Sequence, residues 1–269
     1  MDSKPTIGVI AGKSQFPALV IQGAQKRGHH VVAVGFKGHT QVSIANSPSH
    51  FLWIRVGQLG KMIRFFKRFS VQRLIFAGGI NKPRALDIRP DWKAAKLLLQ
   101  LCSKHDNAIL NSLVTILEQE GFCIVSPLDF VPELQTPSGI LTYRAPHTQE
   151  LKDIELGWPL AKRFGQMDIG QCLVIKDQMV IAVEAIEGTD STIQRAGELV
   201  GRGCVVLKIF KPGQEEHIDQ PSVGLHTIET MIRSGASCMA IEAEKSLFFD
   251  QEQAIQLANQ YGISIVGYP

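Results

Sequence analysis

A chain of 269 residues exceeds one compact domain of ordinary size, and its 45% hydrophobic against 20% charged content is that of a globular protein able to bury a core in each half. No uninterrupted apolar run approaches the roughly 20 residues a membrane-spanning helix needs. A net charge of +3 is too mild to mark a nucleic-acid surface, which requires a clustered basic face.

The start, MDSKPTIGVIAG, enters an apolar strand with no small-residue cleavage site behind it, which predicts a cytoplasmic protein without a signal peptide. Five scattered cysteines, Cys102, Cys123, Cys172, Cys204 and Cys238, form no CxxC pair and are read as buried free thiols in a reducing compartment. Pro5 to Ala11 reads as a strand, Gly12 as a tight turn, and Pro17 to Arg27 as a helix with proline where its missing N–H costs least. Backbone N–H groups at such a helix start favour anions, so Ala11 and Gly12 are candidate phosphate contacts. Gly8-x-x-x-Gly12 is not the full dinucleotide fingerprint, and the next strand, His30 to Phe36, ends in Lys37 and Gly38 instead of an acid, so NAD is not expected.

Phe51 to Val56 predicts a strand and Gln58 to Phe69 a helix with Met62, Phe65 and Phe66 on one face and Lys61, Arg64, Lys67 and Arg68 largely on the other. The basic face is ordinary solvated surface or a contact for anionic lipid. Gln72 to Ala77 is a further strand, followed by Gly78 and Gly79. Strands that enter glycine turns and are succeeded by helices predict a parallel, Rossmann-like sheet whose carboxyl edge gathers the loops, with Gly12 and Gly78 on one rim. Gly78, Gly79 and Lys82 then suit a pyrophosphate or sugar phosphate. Asp91 to Lys104 and Asn107 to Glu120 read as helices and Phe122 to Ser126 as the strand closing a first domain, residues 1–130.

Three prolines and no helical period assign residues 131–148 to a linker, in which His147 reads as a surface residue. The second domain, residues 149–269, opens with a helix from about Glu150 to Gly165. Two apolar runs around Lys176, Asp177 and Gln178 predict a hairpin, and alternating strands and helices follow, so this domain is mixed α/β. At the end of the second run stand Glu184, Glu187, Gly188, Thr189 and Asp190, ahead of a helix from Ser191 to Val200. Thr189 or Asp190 alone reads equally well as an N-cap, whereas the cluster as a whole points to a site. Lys208 and Lys211 end the next run. Carboxylates beside lysines suit a divalent cation with a phosphorylated substrate, because hard oxygen ligands hold the metal while ammonium groups neutralise phosphate charge.

EAIEGTDSTIQRAG, KPGQEEHIDQPSVG with the following TIE, and DIGQCLVI resemble the C-terminal half of the UDP-2,3-diacylglucosamine pyrophosphatases of the LpxI type, enzymes of lipid A synthesis. IAGKSQFP and AGGINKP resemble that family's other half, so the likeness covers nearly the whole chain. It implies a metal-dependent hydrolase, using Mg2+ or Mn2+, that splits UDP-2,3-diacylglucosamine into UMP and 2,3-diacylglucosamine 1-phosphate by water attack at the β-phosphorus. Asp219 matches the family's catalytic aspartate, as metal ligand or as base. Glu187 and Asp190 are then supporting metal ligands, and Thr189, Arg195, Lys208 and Lys211 phosphate contacts. The sequence departs from the family at His105, where a glycine is usual, and after Asp219, where Gln-Pro-Ser replaces Leu-Pro-Thr.

The active site is expected in a cleft between the domains. His217 reads as an exposed loop residue. A peripheral contact with the inner membrane and a homo-oligomer are compatible with this reading. Two other classes fit the same glycine turns and lysines: a non-catalytic nucleotide-sugar or lipid-binding module, and an ATP-dependent ligase.

Overall fold

The computed structural model describes residues 5–80, 91, 106–213 and 220–269. Two units divide between Pro132 and Glu133. Among the described residues no helix is long and apolar enough to cross a membrane.

The first unit runs β1 (Thr6–Ala11), α1 (Phe16–Lys26), β2 (His30–Phe36), β3 (His50–Ile54), α2 (Leu59–Arg68), β4 (Arg73–Ala77), α3 (Asp106–Gln119) and β5 (Cys123–Ile124). All five strands are parallel, in the order β3-β2-β1-β4-β5. Alternate residues of the strands, among them Ile10, Val32, Val34, Leu74 and Phe76, share a core with Met62, Ile63 and Phe66 of α2 and Leu117 of α3. Lys61, Arg64, Lys67 and Arg68 lie exposed on the other side of α2, as the pattern predicts. Of the predicted helix from Asp91 to Lys104, all but Asp91 lies outside the described residues.

Strand order reverses between β1 and β4, the place where open α/β sheets receive ligands beyond the carboxyl ends of their strands. Gly12 and Gly78 meet there. Gly12 N donates to Ala77 O and Lys13 N to Gly79 O, each at 2.8 Å. A Cβ on Gly12 would stand 2.1 Å from the Gly78 carbonyl oxygen, and Gly78 itself has φ +81°, so both positions need the missing side chain.

The second unit contains β6 (Gly139–Ile140), α4 (Thr148–Gln166), β7 (Cys172–Lys176), β8 (Met179–Val183), α5 (Thr189–Val200), β9 (Val205–Lys208), β10 (Ser222–Val223), α6 (Leu225–Ser234), β11 (Cys238–Glu242), β12 (Leu247–Phe248), α7 (Gln251–Gln260) and β13 (Ser264–Tyr268). Its main sheet has the order β6-β13-β11-β9-β7-β8, with β9, β11 and β13 parallel and β6 and β7 antiparallel to their neighbours. The hairpin of β7 and β8 turns through Asp177 and Gln178, both at positive φ, and their N–H groups donate to Asp153 of α4 at 3.1 and 2.6 Å. Within the stretch read as linker, Gly139–Ile140 pairs with β13, and Thr136 N donates to Ser246 O. That part of the chain is a strand of the second sheet.

His147 caps α4: its ring accepts from Glu150 N while the Glu150 carboxylate accepts from His147 N, a capping box. Glu150 is 1% exposed and also accepts from Arg144 at 2.7 and 3.0 Å and from Ser237 Oγ at 2.6 Å. Burial alone would raise its pKa, but these hydrogen bonds together hold it below the ordinary carboxylate value. A depressed carboxylate contributes stability that is present above the unfolded pKa and lost as pH falls through the folded one. Arg144→Ala is therefore expected to destabilise the second unit by about 2 kcal/mol at neutral pH. The gap to wild type should close as the solution is acidified below the usual carboxylate range, which thermal unfolding at several pH values would read. A gap independent of pH would remove Glu150 from the explanation.

Candidate functional site

Strand direction brings the chemistry of the second unit to one edge. Since β7 is antiparallel to both β8 and β9, the carboxyl ends of β8 and β9 lie together, with Cys172 at the start of β7 between them. Glu184 follows β8 directly, and Lys208 ends β9. Lys208 is in phase with Val206, whose face is covered by Ile193 and Ala196 of α5. Its side chain therefore emerges under the first turn of that helix.

There it is 2% exposed, and Glu184 is 8% exposed. Lys208 Nζ donates to Thr189 Oγ1, Thr189 Oγ1 donates to Glu184 Oε1 at 3.2 Å, and the ammonium lies 3.7 Å from Glu184 Oε2. Burial pushes the neighbouring Cys172 thiol up to about 12; Lys208 pulls the other way, while Glu184 and Asp190 add to the rise. Thr189 does not cap α5. Gly188 occupies the N-cap with φ +85° and, as glycine, brings no side chain, while the Thr189 hydroxyl is engaged by Glu184 and Lys208. The helix start is thus left without a side-chain cap, and its first-turn N–H groups suit an anion.

Asp190 stands on the same first turn. Its Oδ1 is buried without a hydrogen-bond partner among the described residues, and its Oδ2 lies 3.6 Å from His226 Nε2 at the start of α6. Glu187 is differently placed. Its Oε1 accepts from Arg195 at 2.7 Å and from Thr192 at 3.4 Å, and its Oε2 accepts from Ala185 N at 3.1 Å. Its own backbone and the Arg195 guanidinium hold this exposed carboxyl below the ordinary value. Arg195 donates as well to Val183 O at 3.0 Å, so Glu187 and Arg195 fasten the 184–190 loop to α5. Lys211 pairs with Asp168 at 2.6 Å. That partner, 43 residues away in sequence, carries no local signal.

A hard divalent cation fits this donor set at Asp190, which has an orphaned oxygen, and fits poorly at Glu187, whose two oxygens are taken. Among the described residues no three His, Cys, Asp or Glu side chains form a metal-holding group. Asp219, Lys82, His217 and His105 lie outside the described residues. Gln220, next after Asp219, has a buried Oε1 without a hydrogen-bond partner among the described residues.

In the first unit, Ala11, Gly12, Gly78 and Gly79 come together at the switch point, where the Gly12 amide is held by Ala77. The expectation of uniformly buried thiols is corrected: Cys172, Cys204 and Cys238 are buried, Cys123 is exposed at the rim of a two-residue strand, and Cys102 lies outside the described residues. Sequence reasoning put Glu184 in the polar cluster at the strand end but gave it no role, which only its contacts with Thr189 and Lys208 supply. Glu242 was missed. It accepts from Lys162 Nζ and, at 2.8 Å, from Phe210 N on the opposite face of the same sheet edge.

Among solved structures, a biotin carboxylase domain of a thermophilic 2-oxoglutarate carboxylase is similar at 13% identity and TM-score 0.28, over 62% of this chain and 34% of that one. A glycinamide-RNase-transformylase T from Mycobacterium tuberculosis is similar at 11% identity and TM-score 0.27, over 67% and 44%. At those scores neither bears on the fold or chemistry described above. The UDP-2,3-diacylglucosamine pyrophosphatase LpxI of Caulobacter vibrioides is 29% identical over 272 aligned positions, covering 97% of this chain and 96% of that protein. The model of the LpxI N-terminal domain matches residues 6–134, and that of the LpxI C-terminal domain matches residues 137–266. The two matches meet close to the division between the units and account for nearly every described residue, and the chain belongs to the LpxI family.

Proposed function

We propose that this chain hydrolyses the pyrophosphate of UDP-2,3-diacylglucosamine to UMP and 2,3-diacylglucosamine 1-phosphate, with water attacking the β-phosphorus. The observation that carries the reading is the buried Lys208 ammonium beneath an uncapped helix start, in a chain alignable end to end with a pyrophosphatase of that substrate. Lys208 and the first-turn amides of α5 neutralise phosphate charge, and Thr189 orients the ammonium. Arg195 keeps the 184–190 loop in place through Glu187, and Lys211, paired with Asp168, is a further proposed phosphate contact.

Asp190 stands on the same helix start, and a phosphate bound there would add to its negative charge. Asp190 would contribute a ligand to Mg2+ or Mn2+, whose chemistry when bound is to stabilise charge on phosphate oxygens and lower the pKa of water. Asp219 is proposed as ligand or base for the attacking water. In the first unit the glycine rim of Ala11, Gly12, Gly78 and Gly79, with Lys82, is the proposed contact for the rest of the substrate. The exposed basic face of α2 suits the anionic cytoplasmic surface of the membrane that holds such a glycolipid.

The test is turnover of purified substrate with magnesium and without ATP, run in heavy-oxygen water. Label is expected in diacylglucosamine 1-phosphate and not in UMP, and EDTA should stop the reaction reversibly. Binding without turnover would favour a glycolipid-binding module. Strict ATP consumption would favour a ligase, and label in UMP would move the attack to the α-phosphorus.

A further inference from the structure

We propose that Glu184 is a positioning residue that acts through Thr189 to aim the Lys208 ammonium at a phosphate; this rests on the hydrolytic reading above. An ionised carboxylate only accepts hydrogen bonds and an ammonium only donates them. The Thr189 hydroxyl lies between the two, so its single proton goes to Glu184 Oε1 and its oxygen accepts from Lys208. The sense of both bonds is fixed by Glu184. Its Oε2, 3.7 Å from the ammonium and without a hydrogen bond among the described residues, attracts the charge without holding a proton. Thr189 accepts one Lys208 proton, which leaves the others to point at an anion over the start of α5.

The carboxylate is carried on a rigid support. Glu184 N donates to Cys172 O at 2.9 Å, and a Cβ on Gly170 would stand 2.0 Å from the Glu184 carbonyl oxygen, so no residue larger than glycine fits behind it. Replacing the carboxylate by an amide of the same shape lets an N–H donor face Thr189 Oγ1 and compete with Lys208 for the hydroxyl's lone pairs, and the ammonium loses its direction. A carboxylate so near a phosphate does not assist ground-state binding. Its role should therefore show in kcat and not in KM.

Glu184→Gln is expected to lower kcat about tenfold or more on UDP-2,3-diacylglucosamine without raising KM. Thr189→Ser, which keeps the hydroxyl, should stay within about threefold of wild type, and in a Thr189→Val background the Glu184→Gln effect should shrink below about threefold. An independent arm needs no turnover: inorganic pyrophosphate is titrated into protein labelled at the lysine ε-carbon, with the Lys208 signal identified by its loss in Lys208→Met. That signal should move on titration in wild type and Thr189→Ser, and move less than half as far in Glu184→Gln. If the wild type does not hydrolyse the glycolipid but the resonance behaves in this way, the hydrolytic reading falls and the role of Glu184 stands. Glu184→Gln leaving kcat and resonance unchanged, raising KM alone, or keeping its full effect beside Thr189→Val would overturn the proposal.

Discussion

Asp219→Ala is expected to reduce turnover of UDP-2,3-diacylglucosamine by about 10² to 10³ or more while leaving fold and substrate binding intact. The resemblance of HIDQPSVG to the family's motif implies that Asp219 is the catalytic carboxylate, and the expectation rests on that. A carboxylate that holds a metal or takes the proton of the attacking water stabilises charge that develops chiefly in the transition state, so its loss falls on kcat. Asp219→Asn tests the same point with less change of shape, and it should be as inactive as the alanine variant. Steady-state kinetics with circular dichroism as a control would read both. Activity within threefold of wild type in either variant would remove Asp219 from the mechanism.

Lys208→Met should be nearly as damaging, and for two separable reasons. The first is chemical: the ammonium at the start of α5 is the group best placed to neutralise phosphate, and its removal is expected to cost about 10² in kcat/KM. The second is structural, since methionine leaves Glu184 buried without the cation 3.7 Å from it, a loss of about 3 kcal/mol. The double variant Lys208→Met with Glu184→Gln separates them. It should recover most of the stability, because no lone charge remains buried, and none of the activity. Recovery of turnover in the double variant would show that Lys208 serves the fold and not the reaction.

Much of the architecture is a local matter. Short apolar runs gave β1, β2 and β4 to within a residue of their observed ends, and Pro17 and the Asp177-Gln178 turn marked a helix start and a hairpin. Each follows from φ preferences and apolar content within a few residues. The glycine turns after β1 and β4 were legible for the same reason, and so was the crowding of Glu184, Glu187, Thr189 and Asp190 near one strand end.

What the polar side chains do to one another was not legible, because their partners are distant in sequence. Thr189 reads equally well as a cap, but the helix begins at Thr189 with Gly188 as N-cap, and its oxygen accepts from Lys208, 19 residues on. Glu187 looked like a metal ligand, yet Arg195 and the Ala185 amide hold both of its oxygens. Lys211 has Asp168, and Glu242 has Lys162 from 80 residues away. The chain between β5 and α4 read as linker because two-residue strands have no periodicity to detect, and Gly139–Ile140 is held by pairing with β13 near the other end of the sequence. The sequence by itself determined the elements, the family likeness and the types of group at the sheet edge. Only the tertiary structure decided which carboxylates are committed to arginine, lysine or backbone and which, at Glu184 and Asp190, keep an oxygen without a hydrogen bond among the described residues, since that depends on strand order and on how each side chain is desolvated.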